Sequence, residues 1–64
     1  MTATLPRKVK ARRVALGMSQ ADLADLVGWD RSQVCRLERG RRDPTTASLR
    51  KIAKALRVKV TDLI

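Results

Sequence analysis

The 64-residue chain has no histidine, tyrosine or phenylalanine, one cysteine and one tryptophan. A lone cysteine cannot form an internal disulfide, and without histidine there is no zinc-finger spacing. No Gly-rich phosphate loop and no acidic pair in a plausible cleft accompany them, which argues against an enzyme and against any bound cofactor or metal. A single aromatic residue cannot supply the strand-borne pairs that an RNA-recognition sheet needs. No apolar run approaches membrane-spanning length, and the start of the chain lacks the hydrophobic region of a signal peptide. A cytosolic protein that avoids membranes is therefore expected. Strand-like alternation, internal repeats and low-complexity tracts are also missing.

What the chain does have is positive charge: 15 Lys and Arg against 6 acids, a net charge of +9. Charge of that size costs a compact state some self-repulsion, so it points to a polyanionic partner. Its distribution is uneven. Arg7, Lys8, Lys10, Arg12 and Arg13 crowd the start, residues 14 to 30 carry no cation, and Arg31, Arg36, Arg39, Arg41 and Arg42 resume. A single domain spanning 1–64 is expected, with residues 1–5 as a flexible arm. It would bury only about 60% of its unfolded surface.

Between the two basic regions lies the segment Gln20 to Arg39, QADLADLVGWDRSQVCRLER. Two helix starts of one kind mark it. Ser19 is a good N-cap answered by Asp22, with Met18 and Leu23 as a hydrophobic staple; Asp30 is answered by Gln33, with Trp29 and Val34 as the second staple. Gly28 between them ends the first helix and accepts a left-handed turn without a Cβ clash. The segment thus reads as a helix-turn-helix, a unit that lays its second helix in the major groove of DNA.

Counting about 100° per residue assigns the faces. On the first helix Leu23, Leu26 and Val27 form the inward stripe, and small Ala24 lets the second helix approach. On the second, Val34 and Leu37 point inward and Glu38 falls on the flank. Ser32, Cys35, Arg36 and Arg39 share the outer face, with Arg31 at its edge. Arg31 and Arg36 are candidate base readers, because a guanidinium fork matches guanine O6 and N7. Ser32 joins them as a base or phosphate contact. Cys35 has two readings, a small group on the groove face that touches a thymine methyl or a redox-sensitive thiol; the first is the simpler. Arg39, Arg41 and Arg42 are candidate phosphate contacts, and Lys8 and Lys10 are either further phosphate contacts or a solvated helix face. Trp29 reads as a staple rather than a base-stacking platform.

The remaining segments follow the same grammar. A first helix is expected from about Pro6 to Leu16, with Val9, Arg13 and Leu16 on one face and Gly17 at its end. Gly40 to Pro44 is a loop. Thr45 caps a fourth helix to about Leu56, with Leu49, Ile52, Ala53 and Leu56 inward, and Thr61 starts a last short helix whose Leu63 closes the core. The expected fold class is all-α, a compact bundle of four to five short helices.

Taken together, these motifs resemble the Cro/repressor-type, lambda-repressor-like helix-turn-helix family. The carriers are Arg13, Leu16-Gly17-Met18-Ser19-Gln20, Leu23-Ala24, Val27-Gly28, Val34 to Gly40, Pro44-Thr45 and Ile52 to Leu56. The resemblance spans Val9 to Ile64 and implies a five-helix bundle whose third helix, about 30–39, is the recognition helix. It implies that Arg31, Ser32 and Arg36 reach base edges and that Gln20 clamps a phosphate at a helix N-terminus. It further implies an internal ion pair between Arg13 and Glu38. Trp29 is bulkier than the aliphatic residue usual in the family.

A bacterial or phage-encoded, cytoplasmic repressor is thereby implied, binding a double-stranded, two-fold DNA operator as a homodimer. The resemblance offers the loop after Gly40 and the segment Val58 to Ile64 as dimer surfaces, with Leu63 and Ile64 buried in the partner. The alternative is an antitoxin or controller subunit that also binds a toxin or other partner protein. A purely protein-binding module is the third reading, and the carboxylate-free outer face speaks against it.

Overall fold

The computed structural model describes residues 4–64. Five helices follow one another: α1 Thr4–Ala15, α2 Gln20–Val27, α3 Arg31–Glu38, α4 Thr46–Ala55 and α5 Val60–Leu63. No strand occurs among the described residues, and no helix is long and apolar enough to cross a membrane. α2 packs on α3 and α4, while α1 packs on α3 and α5 and so closes the other side of the bundle.

The starts and stops of the helices are written locally. At α2 the Ser19 hydroxyl accepts from Asp22 N–H at 3.0 Å, and the Asp22 carboxylate accepts from Ser19 N–H at 2.9 Å. The expected reciprocal cap at α3 is half present. Gln33 Oε1 accepts from Asp30 N–H at 2.9 Å, but the Asp30 side chain makes no cap hydrogen bond. The Gln33 N–H that it would have served bonds the Asp30 backbone carbonyl at 3.0 Å instead. Thr45 caps α4 as expected, accepting from Ser48 N–H at 3.1 Å. The last helix begins earlier than expected, with Lys59 rather than Thr61 as its N-cap residue and the Asp62 carboxylate accepting from Lys59 N–H at 2.9 Å.

Gly28 ends α2 at φ +82, and Trp29 N–H turns back to Ala24 carbonyl at 2.8 Å. This six-to-one closure satisfies a carbonyl the helix leaves orphaned. The same closure recurs as Met18 to Arg13, Arg41 to Arg36 and Val58 to Ala53. In the last, the left-handed position is held by Arg57 at φ 59, the one described non-glycine residue with positive φ.

The core is Val9, Leu23, Ala24, Val27, Val34, Leu37, Ile52, Ala53, Leu56 and Leu63. Three further sequence expectations need correction. α1 includes residues 4 and 5, so the expected arm over 1–5 does not hold for them; residues 1–3 lie outside the described residues. Leu5 packs against the core, and Pro6 sits within the first turn, where a missing N–H costs nothing. Leu26 is 59% exposed, whereas Leu23, Ala24 and Val27 are at most 4% exposed. Leu26 instead stands on the rim of a groove with Met18, Lys51, Lys54 and Arg57. Finally, Leu63 is buried within its own chain, at 1% exposure, so it is not available to a partner; Ile64 is exposed.

Candidate nucleic-acid interface

α3 is held to the bundle by two side chains with no exposed surface, Val34 and Leu37. Its one carboxylate, Glu38, is turned inward: the Arg13 Nε donates to Glu38 Oε2 at 2.6 Å and Nη2 to Oε1 at 3.0 Å. The pair is buried, the two side chains being 9% and 4% exposed. A third Arg13 donor, Nη1, serves Met18 carbonyl at 2.8 Å, across the α1–α2 turn. The hydrogen bond to Glu38 raises the Arg13 guanidinium pKa above its ordinary value, against the opposing effect of burial.

With Glu38 taken inward, the outer face of α3 is free of negative charge. Arg31, Ser32 and Arg36 are exposed, Cys35 is half-buried between them, and Arg39 is exposed at the helix end. At the helical period these five side chains occupy one side of the cylinder. Arg41 continues the exposed cations into the loop that follows. Such a face can donate hydrogen bonds and offer positive charge along a groove; it has no group that would repel a phosphate.

Gln20 opens α2, in the turn whose N–H groups the helix itself leaves unpaired. Its side-chain amide donates to Glu38 Oε1 at 3.2 Å. The ion pair therefore also fixes the Gln20 side chain beside an N-terminus that favours an anion. Lys8 sits elsewhere, lining the side of α1 that faces Val58 and Leu63, with Nζ donating to Ile64 carbonyl at 3.3 Å. Lys10 is exposed on α1.

Besides the carbonyl contacts of Lys8 and Arg13, three contacts were not readable from the sequence. Gln20 to Glu38 is one. The second is Arg12, whose Nε donates to Leu56 carbonyl at 3.0 Å and so caps α4 from α1. The third joins the α2–α3 turn to the α3–α4 loop: the Arg42 guanidinium carbon lies 4.3 Å from the centroid of the Trp29 ring. No helical spacing links these partners; only the exceptional size of Trp29 at a turn hinted at the last.

Comparison with known proteins places this architecture. Residues 9–63 match the family model described as helix-turn-helix. The chain is 34% identical over 59 residues to an uncharacterised HTH-type transcriptional regulator of Methanocaldococcus jannaschii, an alignment covering 92% of this chain and 89% of the relative. Among solved structures it is similar to the restriction-modification controller protein C.AhdI from Aeromonas hydrophila, with TM-score 0.92, 35% identity and coverage of 98% and 96% of the two chains. It is also similar to the hypothetical transcription factor NHTF from Neisseria, with TM-score 0.90, 35% identity and coverage of 97% and 71%.

Proposed function

The chain belongs to the helix-turn-helix family of DNA-binding transcriptional regulators, and from that premise we propose that it is a sequence-specific repressor. α3 lies in the major groove of a two-fold operator, and a homodimer occupies its two half-sites. Arg31, Ser32 and Arg36 read base edges, with Cys35 against the groove. Gln20, Arg39, Arg41 and Arg42 grip the backbone, and exposed Lys10 adds long-range attraction. Lys8 is left out of this set because it lies on the side of α1 that faces Val58 and Leu63, with its ammonium donating to Ile64 carbonyl. Occupying a promoter is sufficient to exclude polymerase, so no residue is asked to do covalent chemistry, and the compartment of action is the cytoplasm.

One observation carries this reading: the only carboxylate on α3 is buried against Arg13, while every cation of that helix stays exposed. A solvated helix face has no need of that separation. A controller subunit is the second reading, favoured by the likeness to C.AhdI over nearly the full length of both chains. The two readings share the DNA contact and differ in whether the chain also binds a partner protein.

The test is titration of a labelled duplex over a series of salt concentrations. Each phosphate neutralised adds about −0.9 to the slope of log K against log salt, so contact by four or more of these groups gives a slope steeper than about −3. A slope near zero would refute the assignment.

A further inference from the structure

Arg42 is the one cation near the candidate interface that is neither free in solvent nor paired with an acid. Its guanidinium lies on the face of Trp29, 4.3 Å from the ring centroid, and its Nε is buried with no hydrogen-bond partner. The single ion pair among the described residues is Arg13 with Glu38, so neighbouring Asp43 does not neutralise it. Its Nη groups make no hydrogen bond among the described residues, and only Nε is a buried, unpartnered atom. A cation is thus held by an aromatic face, one donor hidden and the others unused.

The Trp29 side of this contact is the rigid one. Trp29 stands directly before the Asp30 cap of α3, its N–H is bonded to Ala24 carbonyl of α2 at 2.8 Å, and its ring packs against the core. Arg42, by contrast, belongs to the loop between α3 and α4 and is a long side chain with much rotamer freedom to lose. Stacking removes that freedom before any ligand arrives. It also orients a planar fork whose outward N–H groups match two oxygens of a phosphate.

We propose that Trp29 is a positioning residue for DNA: it presets the Arg42 guanidinium to take a backbone phosphate beside the α3 N-terminus. This rests on the reading of α3 and its flanks as a duplex-binding face. It differs from a staple that merely shapes the turn, because the value of Trp29 for binding then passes through Arg42.

A double-mutant cycle on a short, fluorescein-labelled, mixed-sequence duplex tests it, with affinity measured over a potassium chloride series. Arg42→Ala weakens binding and makes the salt slope shallower by about 0.9. Trp29→Leu weakens binding about three- to tenfold while Arg42 is present. In the Arg42→Ala background the same Trp29→Leu change alters affinity by less than about twofold. Trp29→Phe, which keeps an aromatic face, recovers part of the loss, and Arg42→Lys, which keeps the charge without the planar fork, does not bind as the parent does. In NMR spectra the Arg42 Nε proton is shifted upfield by the indole ring and moves when duplex is added.

Additive losses in the cycle, or parental affinity for Arg42→Lys, would overturn the proposal. The Lys and Phe variants decide it even if Trp29→Leu does not fold. Parental binding by Arg42→Ala overturns this proposal alone, leaving the DNA reading intact. Failure of the parent chain to bind duplex overturns both.

Discussion

Arg13 and Glu38, 25 positions apart, close a doubly hydrogen-bonded ion pair between α1 and α3 in which both side chains are buried. The pair fixes α3 against the bundle and removes the one carboxylate of that helix from its surface. Because both charges are desolvated, deleting one leaves the other stranded. Arg13→Ala or Glu38→Ala should each cost about 3–5 kcal/mol, read from urea unfolding midpoints. Replacing both residues by apolar ones of similar volume should restore most of that stability. A single-variant loss below about 1 kcal/mol would mean that the pair is solvated in solution.

Arg31 and Arg41 should separate base reading from backbone grip. Arg31→Ala relaxes preference at one operator position by about 1–3 kcal/mol of discrimination, while Arg41→Ala weakens all sequences alike and makes the salt slope shallower by about 0.9. Affinities for an operator and its single-base variants measure both effects. Uniform weakening by Arg31→Ala would place that side chain on the backbone.

Arg57 occupies a left-handed position, φ 59, at the end of α4. The three other closures of this type place glycine there, at Gly17, Gly28 and Gly40. A side chain in that conformation is strained by about 1–2 kcal/mol, partly offset by the greater freedom glycine gains in the unfolded chain. Arg57→Gly is therefore expected to raise stability by about 0.5–1 kcal/mol, seen as a higher thermal midpoint. A lower midpoint would show that the Arg57 side chain makes a contact worth more than the strain.

The Asp22 carboxyl is held below its ordinary 3.8 by accepting the Ser19 N–H and by the Ser19 hydroxyl. A carboxyl with a lowered folded-state pKa contributes stability that is complete above the unfolded value and lost as pH falls through the folded value. Asp22→Asn should thus be less stable than the parent at neutral pH, with the gap in thermal midpoint closing toward strongly acid pH. A gap that stays constant over that range would assign the effect to hydrogen-bond geometry rather than charge.

Much of this architecture is written in short-range signals. Ser19 with Asp22, Thr45 with Ser48 and Gly28 each act within a few residues, so α2, the turn and α4 are legible from spacing alone. The outer face of α3 follows from period and from the absence of acids on it, and the Arg13–Glu38 pair followed only from family resemblance. What escaped depends on tertiary contact. The helical period groups Leu26 with Leu23 but cannot say how wide a strip the neighbours cover, and they leave Leu26 exposed. Lys8 and Arg12 look like any basic helix face until α4 and α5 bring the carbonyls of Leu56 and Ile64 to them. Trp29 and Arg42 meet because α3 folds the chain back between them, and no local rule connects a turn residue to a loop residue beyond the next helix.

Whether the outer face of α3 reads base sequence is decided by selection from a random duplex pool at physiological salt. Base reading by α3 yields an enriched inverted repeat with half-site centres about one helical turn apart, and loss of preference at one position in each half-site when the selection is repeated with Arg31→Ala. An unenriched pool, or an enriched motif unchanged by both Arg31→Ala and Arg36→Ala, would contradict it.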